Sequence, residues 1–483
     1  MSRLLHNIRG FAKSHANAAA ILSEGCLITY DELANQIDIL GEILKPYSGK
    51  CVAVEIENSA LWVILDLTCI ALGIISVPLP SFFSKAQREH AIHSSGAAYV
   101  FSDDVSENDN IFSIAGRRLY VIELSNSPVR LPQDTAKITF TSGTTGEPKG
   151  VCLSQSGMEK VAASLVGVIE RQAATHTAAV LPLAVLLENI AGCYATLMAG
   201  GCYDVQPQQA IGFIKGMIPD FHKLNAYLFR VRASSCILVP ELLRGMIQNL
   251  FHEKGSLPDM KFMAVGGSKV SPSLLVQASQ LGLPVYQGYG LSEAGSVVAV
   301  NTPSQHAISS VGKCLPHINI SIAADGEIIL HDPVFLGYVG TDGCVADFPT
   351  GDIGRIDKRG YLHITGRKKN VIITSMGRNI SPEWPESELL SQPVIAQALV
   401  FGDAESELSA LIVPWSSLIS QAQIENAIQS TNSLLPEYAH IRYWHLVAPF
   451  TMENGQLTGT GRPRRQAILH HSLQNVNTMH SVV

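Results

Sequence analysis

The first 130 residues alternate between helix-like and strand-like patterns of apolar positions. Thr29–Leu44 spaces its apolar residues three and four apart, which places them on one face of a helix. Cys51–Ile56 and Ile75–Leu79 are short, almost wholly apolar runs, as is typical of buried strands. Ala97–Asp104 and Arg118–Leu124 continue the strand-like pattern. Strands that alternate with helices predict α/β layers with largely parallel sheets.

The α/β pattern continues through Val161–Pro303 and then changes. Beyond Val311, short alternating runs such as Gly326–Asp332 and Gly354–Gly366 predict β-hairpins. We therefore predict an α/β fold, with a large N-terminal domain of layered α/β subdomains plus a β-rich subdomain.

The composition changes at Lys369, the last lysine of the chain. Beyond it, Gln397–Asp403 and Ser409–Trp415 have strand-like patterns among helical stretches, which predicts a small α+β unit. A chain of 483 residues exceeds the usual size of one compact domain. We place an N-terminal domain at 1–368 and a mobile C-terminal domain at 369–483.

One apolar run, Ala60–Pro80, is long enough to span a membrane as a helix. Asp66 lies inside this run, however, and Gly73 and Pro78 interrupt it. We therefore predict a buried helix followed by a buried strand, and no transmembrane segment.

The composition does not indicate a nucleic-acid-binding protein. The net charge is −7, the pI is about 6.1, and the 34 Lys and Arg residues are scattered apart from two short runs, whereas nucleic-acid binding needs a basic patch. Nine cysteines occur singly, without zinc-site spacing, which is typical of reduced intracellular thiols. Charges interrupt residues 1–22, so this segment makes a poor signal peptide. We expect a cytoplasmic protein of undetermined oligomeric state.

The segment Thr141–Gly150, TSGTTGEPKG, combines hydroxyl side chains, glycines and one ammonium group. Backbone N–H groups of a Gly-rich turn point together at an anion, and Lys149 adds positive charge. The segment is not a Walker loop, because Pro148 and Gly150 stand where that motif needs a glycine and a hydroxyl residue. It is either a polyphosphate-binding loop or a surface turn. We favour the loop because the segment follows an apolar run and ends on the ammonium.

Seven further segments, in order along the chain, resemble sequence motifs of the same protein family as this loop. They are Thr29–Ile37, Leu181–Gly201, Ala264–Pro272, Tyr286–Gly295, Pro349–Gly354, Ile364–Glu386 and Glu453–Arg465. Together the eight segments resemble the adenylate-forming superfamily of acyl-CoA synthetases, amino-acid adenylation domains and luciferases. The resemblance covers nearly the full length and is strongest to fatty acyl-CoA synthetases.

The resemblance implies a two-step reaction that uses ATP and Mg²⁺. A carboxylate attacks the α-phosphorus of ATP, pyrophosphate leaves, and an acyl-AMP forms. The thiol of CoA, or of the phosphopantetheine arm of an acyl carrier protein, then displaces AMP. Both steps concentrate negative charge, so the site must supply cations and hydrogen-bond donors.

The resemblance also assigns residues to the phosphates and the metal. The β- and γ-phosphates would be held by Thr141, Ser142, Gly143, Thr144, Thr145, Gly146 and Lys149. Glu293 would bind Mg²⁺, which prefers oxygen ligands, and Ser292 would contact the α-phosphate. A Ser-Glu pair by itself is more often only a helix N-terminus.

The nucleoside is assigned in the same way. Tyr289 would present a flat face to adenine, although it could equally be a core aromatic, and Gly266 and Gly267 would allow the backbone to approach closely. Asp352 would accept hydrogen bonds from both ribose hydroxyls, although Gly-Asp also suits a turn. Arg367 would reach the ribose as well.

Two assignments concern movement of the C-terminal domain. Lys369 stands where the family has its hinge. Gly377 would approach the thiol arm after the domain swings, unless it is simply an exposed hairpin glycine.

The chain departs from the family pattern at two places. The family usually has a lysine, bridging the attacking carboxylate and the α-phosphate, where this chain has Arg462, and Arg464 and Arg465 stand close by. Arginine is a planar fork and lysine a point charge, so the exchange is not conservative. Val185 stands where many fatty-acid-activating relatives have histidine, and Leu186 follows it. We interpret Val185 and Leu186 as part of an apolar acyl pocket, which favours an uncharged fatty or aryl acid over an amino acid.

Three functions remain open from the sequence. The first is an acid–thiol ligase that makes acyl-CoA through acyl-AMP. The second is a ligase that loads an acyl carrier protein. The third is a degenerate member that binds nucleotide or adenylate without catalysis.

Overall fold

The computed structural model describes residues 2–104, 110–141, 148–170, 173, 175–214, 219–341, 343, 346–458 and 461–479. Within these ranges the helices are α1 (Arg3–Ser14), α2 (Tyr30–Leu44), α3 (Ala60–Leu72), α4 (Lys85–Ser95), α5 (Gln155–Val168), α6 (Ala195–Ala199), α7 (Phe221–Arg230), α8 (Pro240–Glu253), α9 (Pro272–Gln280), α10 (Glu383–Leu390), α11 (Gln421–Asn432) and α12 (Arg465–Met479).

The strands within the same ranges are β1 (Ala19–Ser23), β2 (Cys26–Thr29), β3 (Cys51–Glu55), β4 (Ile75–Pro78), β5 (Tyr99–Ser102), β6 (Asn110–Ile114), β7 (Arg117–Glu123), β8 (Thr135–Thr141), β9 (Lys149–Ser154), β10 (His176–Ala178), β11 (Cys202–Asp204), β12 (Ser235–Leu238), β13 (Phe262–Val265), β14 (Val285–Tyr289), β15 (Ala299–Val300), β16 (Lys313–Cys314), β17 (Asn319–Ile322), β18 (Glu327–His331), β19 (Phe335–Tyr338), β20 (Asp347–Ile356), β21 (Leu362–Arg367), β22 (Ile372–Ile373), β23 (Asn379–Ile380), β24 (Ile395–Phe401), β25 (Leu408–Pro414) and β26 (Ile441–Leu446).

Two large sheets form most of the N-terminal part. One has the order β16-β15-β14-β13-β12-β10-β11-β1-β2, and its strands from β14 through β1 run parallel. The other has the order β19-β9-β8-β4-β3-β5-β7-β6, with β8, β4, β3 and β5 parallel. The largest apolar core contains residues from both sheets, for example Val52 and Tyr203. These layers confirm the predicted α/β class.

The β-rich subdomain and the C-terminal unit also match the predicted fold class. An antiparallel sheet of β17-β18-β20-β21 follows the large sheets. After it, β24-β25-β26 forms a three-stranded sheet, and residues of α10 and α11 share an apolar core with it. This unit is small and of mixed α+β type.

The apolar run Ala60–Pro80 folds as α3 followed by β4, as the sequence predicts. Gly73 ends α3 with a φ of 65°, a conformation that glycine adopts without strain. Asp66 is buried inside α3, and the Lys137 ammonium lies 2.7 Å from its carboxylate. Of the helices in the described ranges, none combines the length and the apolar character that a membrane crossing needs. All eight cysteines in these ranges are free thiols.

Candidate active site

A cavity of about 1900 Å³ lies at the carboxyl ends of β12, β13 and β14 and extends to the C-terminal domain. This is the edge of a parallel sheet where ligands usually bind in α/β folds. Eleven of the residues singled out from the sequence line it: Thr141, Lys149, Val185, Leu186, Gly266, Gly267, Tyr289, Ser292, Glu293, Arg367 and Arg462. The structure therefore brings together segments that are far apart in the chain.

Lys149 stands at the start of β9, directly opposite Thr141 at the end of β8. The two strands pair in antiparallel fashion. Ser142, Gly143, Thr144, Thr145 and Gly146 lie outside the described residues. The strand pair delivers an exposed ammonium and a hydroxyl to the same wall of the cavity.

Tyr338 connects Lys149 with Glu293. Its hydroxyl donates a hydrogen bond of 2.8 Å to Glu293 Oε1. Its ring centroid lies 5.4 Å from Lys149 Nζ, within the range of a cation–π interaction. Tyr338 ends β19, which pairs with β9, so sheet pairing brings it beside Lys149. Sequence reasoning missed this residue, because a single aromatic at the end of a short strand carries no motif signal.

Glu293 lies in a 3₁₀ turn, Ser292–Ala294, that begins three residues after β14 ends at Tyr289. The turn projects both Ser292 and Glu293 into the cavity wall. A carboxylate near an ammonium and an open polar space is a suitable arrangement for a magnesium–phosphate complex.

Asp352 forms a polar cluster with Tyr289 and Arg367. Tyr289 donates its phenolic proton to Asp352 Oδ2 at 2.7 Å, and Arg367 Nε lies 2.8 Å from Asp352 Oδ1. Asp352 and Arg367 are direct partners in the β20–β21 pair. Burial raises the pKa of Asp352, whereas the Arg367 charge and the Tyr289 bond act to lower it. Burial and the Asp352 charge also raise the pKa of Tyr289, so Tyr289 stays a donor.

Gly267 forms the contact between the two domains at the site. Its φ of +91° favours glycine, and it follows β13 in the turn that opens the cavity. Its carbonyl accepts a 2.7 Å hydrogen bond from Arg462 Nη2 of the C-terminal domain. Gly266 lies beside it, and a Cβ there would stand 3.4 Å from the Gly288 carbonyl.

Arg462 stands on a loop that closes on itself. The Thr458 amide donates to the Arg462 carbonyl at 2.8 Å, and the Arg462 amide donates to Thr458 Oγ1 at 3.0 Å. The guanidinium lines the cavity and remains accessible to solvent. The loop therefore fixes the backbone, while the guanidinium keeps its bond to the Gly267 carbonyl and turns its other donors toward the cavity.

Part of the cavity lining is apolar. Val185 and Leu186 line it together with Leu165 of α5, Ile169 directly after that helix, and Met198 of α6. A π-helical segment, Glu188–Tyr194, follows Leu186 and leads into α6. Such a chamber suits an uncharged acyl or aryl group.

Lys369 and Gly377 lie elsewhere in this pose. Lys369 is in the 3₁₀ turn Lys368–Asn370, and burial, aided by the Arg367 charge, lowers its pKa. The preceding Lys368 pairs with Asp325 at 2.6 Å and with Glu327 at 2.7 Å. Gly377, with a φ of +71°, lies between β22 and β23 in open space. Neither Lys369 nor Gly377 belongs to the cavity wall that the described residues form.

Comparison with known proteins agrees with this geometry. A family model described as AMP-binding enzyme matches residues 8–339, and one described as AMP-binding enzyme C-terminal domain matches residues 369–481. The long-chain-fatty-acid–CoA ligase FadD15 of Mycobacterium bovis is 26% identical to this chain over 560 residues, which cover 94% of this chain and 92% of the ligase.

Two solved structures are similar in fold. The anthranilate CoA ligase AuaEII, in complex with anthranoyl-AMP, has a TM-score of 0.82 at 16% identity and covers 99% of this chain and 98% of its own. O-succinylbenzoate CoA synthetase (MenE) of Bacillus subtilis, in complex with ATP and a magnesium ion, has a TM-score of 0.73 at 22% identity and covers 96% of this chain and 99% of its own. With a family match over most of its length, this chain belongs to the AMP-binding enzyme family.

Proposed function

We propose that this protein is an AMP-forming acid–thiol ligase that activates a fatty or aryl acid with ATP and transfers the acyl group to a thiol such as CoA. One observation carries the proposal: a single cavity is lined both by apolar residues such as Val185 and Leu186 and by the polar Lys149, Glu293 and Arg462. The named activities of FadD15 and of the two structural neighbours support the same reaction.

In the first step a carboxylate oxygen of the acid attacks the α-phosphorus of ATP, and the bond to the pyrophosphate oxygen breaks. Lys149, Thr141 and the loop between them, whose Ser142–Gly146 lie outside the described residues, would hold the leaving pyrophosphate. Ser292 would contact the α-phosphate. Cations and donors aimed at the phosphates stabilise the charge that spreads over them in the transition state.

Mg²⁺ fits the residues of the site. Glu293 offers one carboxylate, and Tyr338 fixes one of its oxygens. Mg²⁺ is commonly held by one or two carboxylates together with substrate phosphates and water. When bound, the ion would supply positive charge that neutralises the triphosphate.

The nucleoside would lie between the Gly266–Gly267 turn and the polar cluster. We assign the adenine to the face of Tyr289 and the ribose hydroxyls to Asp352, with Arg367 holding the carboxylate in place. The hydrogen bond from Tyr289 to Asp352 supports this assignment, because it couples the base-binding side chain to the ribose acceptor.

Arg462 would neutralise the carboxylate and the α-phosphate in place of the usual lysine. Its guanidinium can bind two oxygens at once, whereas an ammonium acts as a point charge. Arg462→Lys tests this assignment in the adenylation half-reaction. A large gain in rate would support the alternative in which the native arginine limits chemistry and the protein is a degenerate member.

In the second step the thiol sulfur would form a bond to the acyl carbonyl carbon and lose its proton to solvent. The bond between that carbon and the phosphate oxygen would break, and AMP would leave with its electron pair. We propose a domain boundary at Lys369, with rotation there bringing Gly377 to the thiol arm. The separate family match beginning at residue 369 is consistent with such a boundary. The free cysteines support our placement of the protein in a reducing compartment, the cytoplasm.

The test is acid-dependent ATP–pyrophosphate exchange across a panel of fatty and aryl acids, with hydroxylamine trapping of the activated acyl group. We expect exchange that requires Mg²⁺ and is abolished in Glu293→Ala. Absence of exchange across the panel would refute the proposal. Product analysis with CoA and with an acyl carrier protein distinguishes the two thiol acceptors.

A further inference from the structure

Arg244 on α8 connects the N-terminal domain to the C-terminal domain. Its Nη1 donates to the Leu390 carbonyl at 2.7 Å and to the Ile395 carbonyl at 3.2 Å. Its Nη2 donates to the Ala396 carbonyl at 3.1 Å. The guanidinium carbon lies 5.2 Å from the centroid of the Trp415 ring. Arg244 is only 6% exposed, so one domain presents a nearly buried cation to the backbone of the other.

The acceptors explain why this contact is favourable. Leu390 is the last residue of α10. The final carbonyls of a helix accept no hydrogen bond from within the helix, so they need an outside donor. The C-terminal end of a helix also attracts cations. Arg244 therefore caps a helix of the neighbouring domain with its planar guanidinium, which also lies over the Trp415 ring.

Two other contacts cross the same interface. Ser273 Oγ of α9 donates to Glu388 Oε2 of α10 at 2.8 Å. Arg462 Nη2 donates to the Gly267 carbonyl at 2.7 Å. The Arg244 and Ser273 contacts therefore belong to the domain pose that places Arg462 in the cavity wall.

We propose that Arg244 is a positioning residue that holds the C-terminal domain in the pose for acyl-adenylate formation. The inference rests on the proposed function. Bringing Gly377 to the cavity for thioester formation requires rotation of the domain, and that rotation must separate Arg244 from Leu390. Arg244 also lines the cavity, but both of its terminal nitrogens are engaged by backbone carbonyls of the C-terminal domain. It therefore sets the balance between the two poses through domain docking.

The test compares the two half-reactions in Arg244→Met. The substitution keeps an apolar side chain and removes the guanidinium group. Acid-dependent ATP–pyrophosphate exchange falls about tenfold, because hydrogen bonds from a charged donor are lost. Thioester formation from preformed acyl-adenylate stays within about twofold of wild type, because no transition-state contact is removed. A purely structural defect would lower both rates together, and equal losses or no loss would overturn the proposal.

Arg9→Met is the matched control, because Arg9 is exposed and pairs at 2.7 Å with Asp38 within the N-terminal domain. Both of its half-reactions should match wild type. Arg244→Lys keeps the charge without the planar fork and should give an intermediate loss of exchange. It carries the same test should Arg244→Met fail to fold.

Trypsin supplies a readout that needs no catalysis. Arg367, Lys368 and Lys369 lie at the junction of the domains, and we expect release of the C-terminal fragment to be faster in Arg244→Met than in Arg9→Met. Equal release rates would overturn the proposal. If wild type shows no exchange with any acid, the proposed ligase function fails, whereas faster release in Arg244→Met still shows that Arg244 docks the C-terminal domain.

Discussion

Asp352→Asn tests the ribose assignment with a change of one atom. Asp352 Oδ1 already meets Arg367 at 2.8 Å and Oδ2 accepts from Tyr289 at 2.7 Å. Each carboxylate oxygen keeps further lone-pair capacity for a ribose hydroxyl. The asparagine variant retains one acceptor oxygen and replaces the other with a donor. One of the two proposed ribose hydrogen bonds is therefore lost.

The size of the loss follows from the charge of the acceptor. A hydrogen bond to an ionised group contributes about 1.5–3 kcal/mol. That free energy corresponds to a rise of about 10- to 150-fold in the KM for ATP. The rate at saturating ATP should change less, because the ribose lies away from the reacting phosphorus.

The assay is ATP–pyrophosphate exchange with ATP, 2′-deoxy-ATP and 3′-deoxy-ATP. In wild type each deoxynucleotide should bind more weakly than ATP. In Asp352→Asn one of the two deoxynucleotides should bind almost as well as ATP, because the acceptor for the missing hydroxyl is already gone. Asp259→Asn serves as the control, since this aspartate pairs at 3.1 Å with the exposed Arg232 on the surface. If both deoxynucleotides lose as much affinity relative to ATP in Asp352→Asn as in wild type, the assignment is refuted.

Three other variants test the metal site and two buried charged groups of the N-terminal domain. Tyr338→Phe keeps the ring beside Lys149 but removes the bond to Glu293, so about tenfold more Mg²⁺ should be needed for half-maximal exchange; an unchanged Mg²⁺ titration contradicts this. Lys137→Met leaves the buried Asp66 carboxylate without its ammonium and should cost about 3–5 kcal/mol in urea unfolding, most of which the added Asp66→Leu change should restore. Burial raises the pKa of Glu188 from 4.5 to about 7, so the fold favours its protonated form. The stabilisation from this group is present below pH 4.5 and is lost as the pH rises through 7. Glu188→Gln should therefore gain thermal stability relative to wild type between about pH 5 and pH 8, and a pH-independent difference would argue against the burial effect.

Much of the fold could be predicted from local patterns. Apolar spacing located α2, β3 and β4, because a helix or strand exposes its period over a few consecutive residues. The helix followed by a strand in Ala60–Pro80 was also predicted correctly, since a helix-ending glycine such as Gly73 acts locally. The family resemblance came from ordered motifs, and the family match confirmed it.

The contacts within the site depended on tertiary structure. Tyr338 meets Glu293 only because β19 pairs with β9, and Arg462 reaches Gly267 across 195 residues because two domains dock. Arg244 gave no motif signal, because its partners are backbone carbonyls, which every residue carries. The sequence by itself thus determined which elements form and which side chains are available for chemistry. Only the packing of sheets and domains decided which of those side chains lie within hydrogen-bonding distance. Such contacts join residues far apart in the chain, so they produce no periodic pattern in the local sequence.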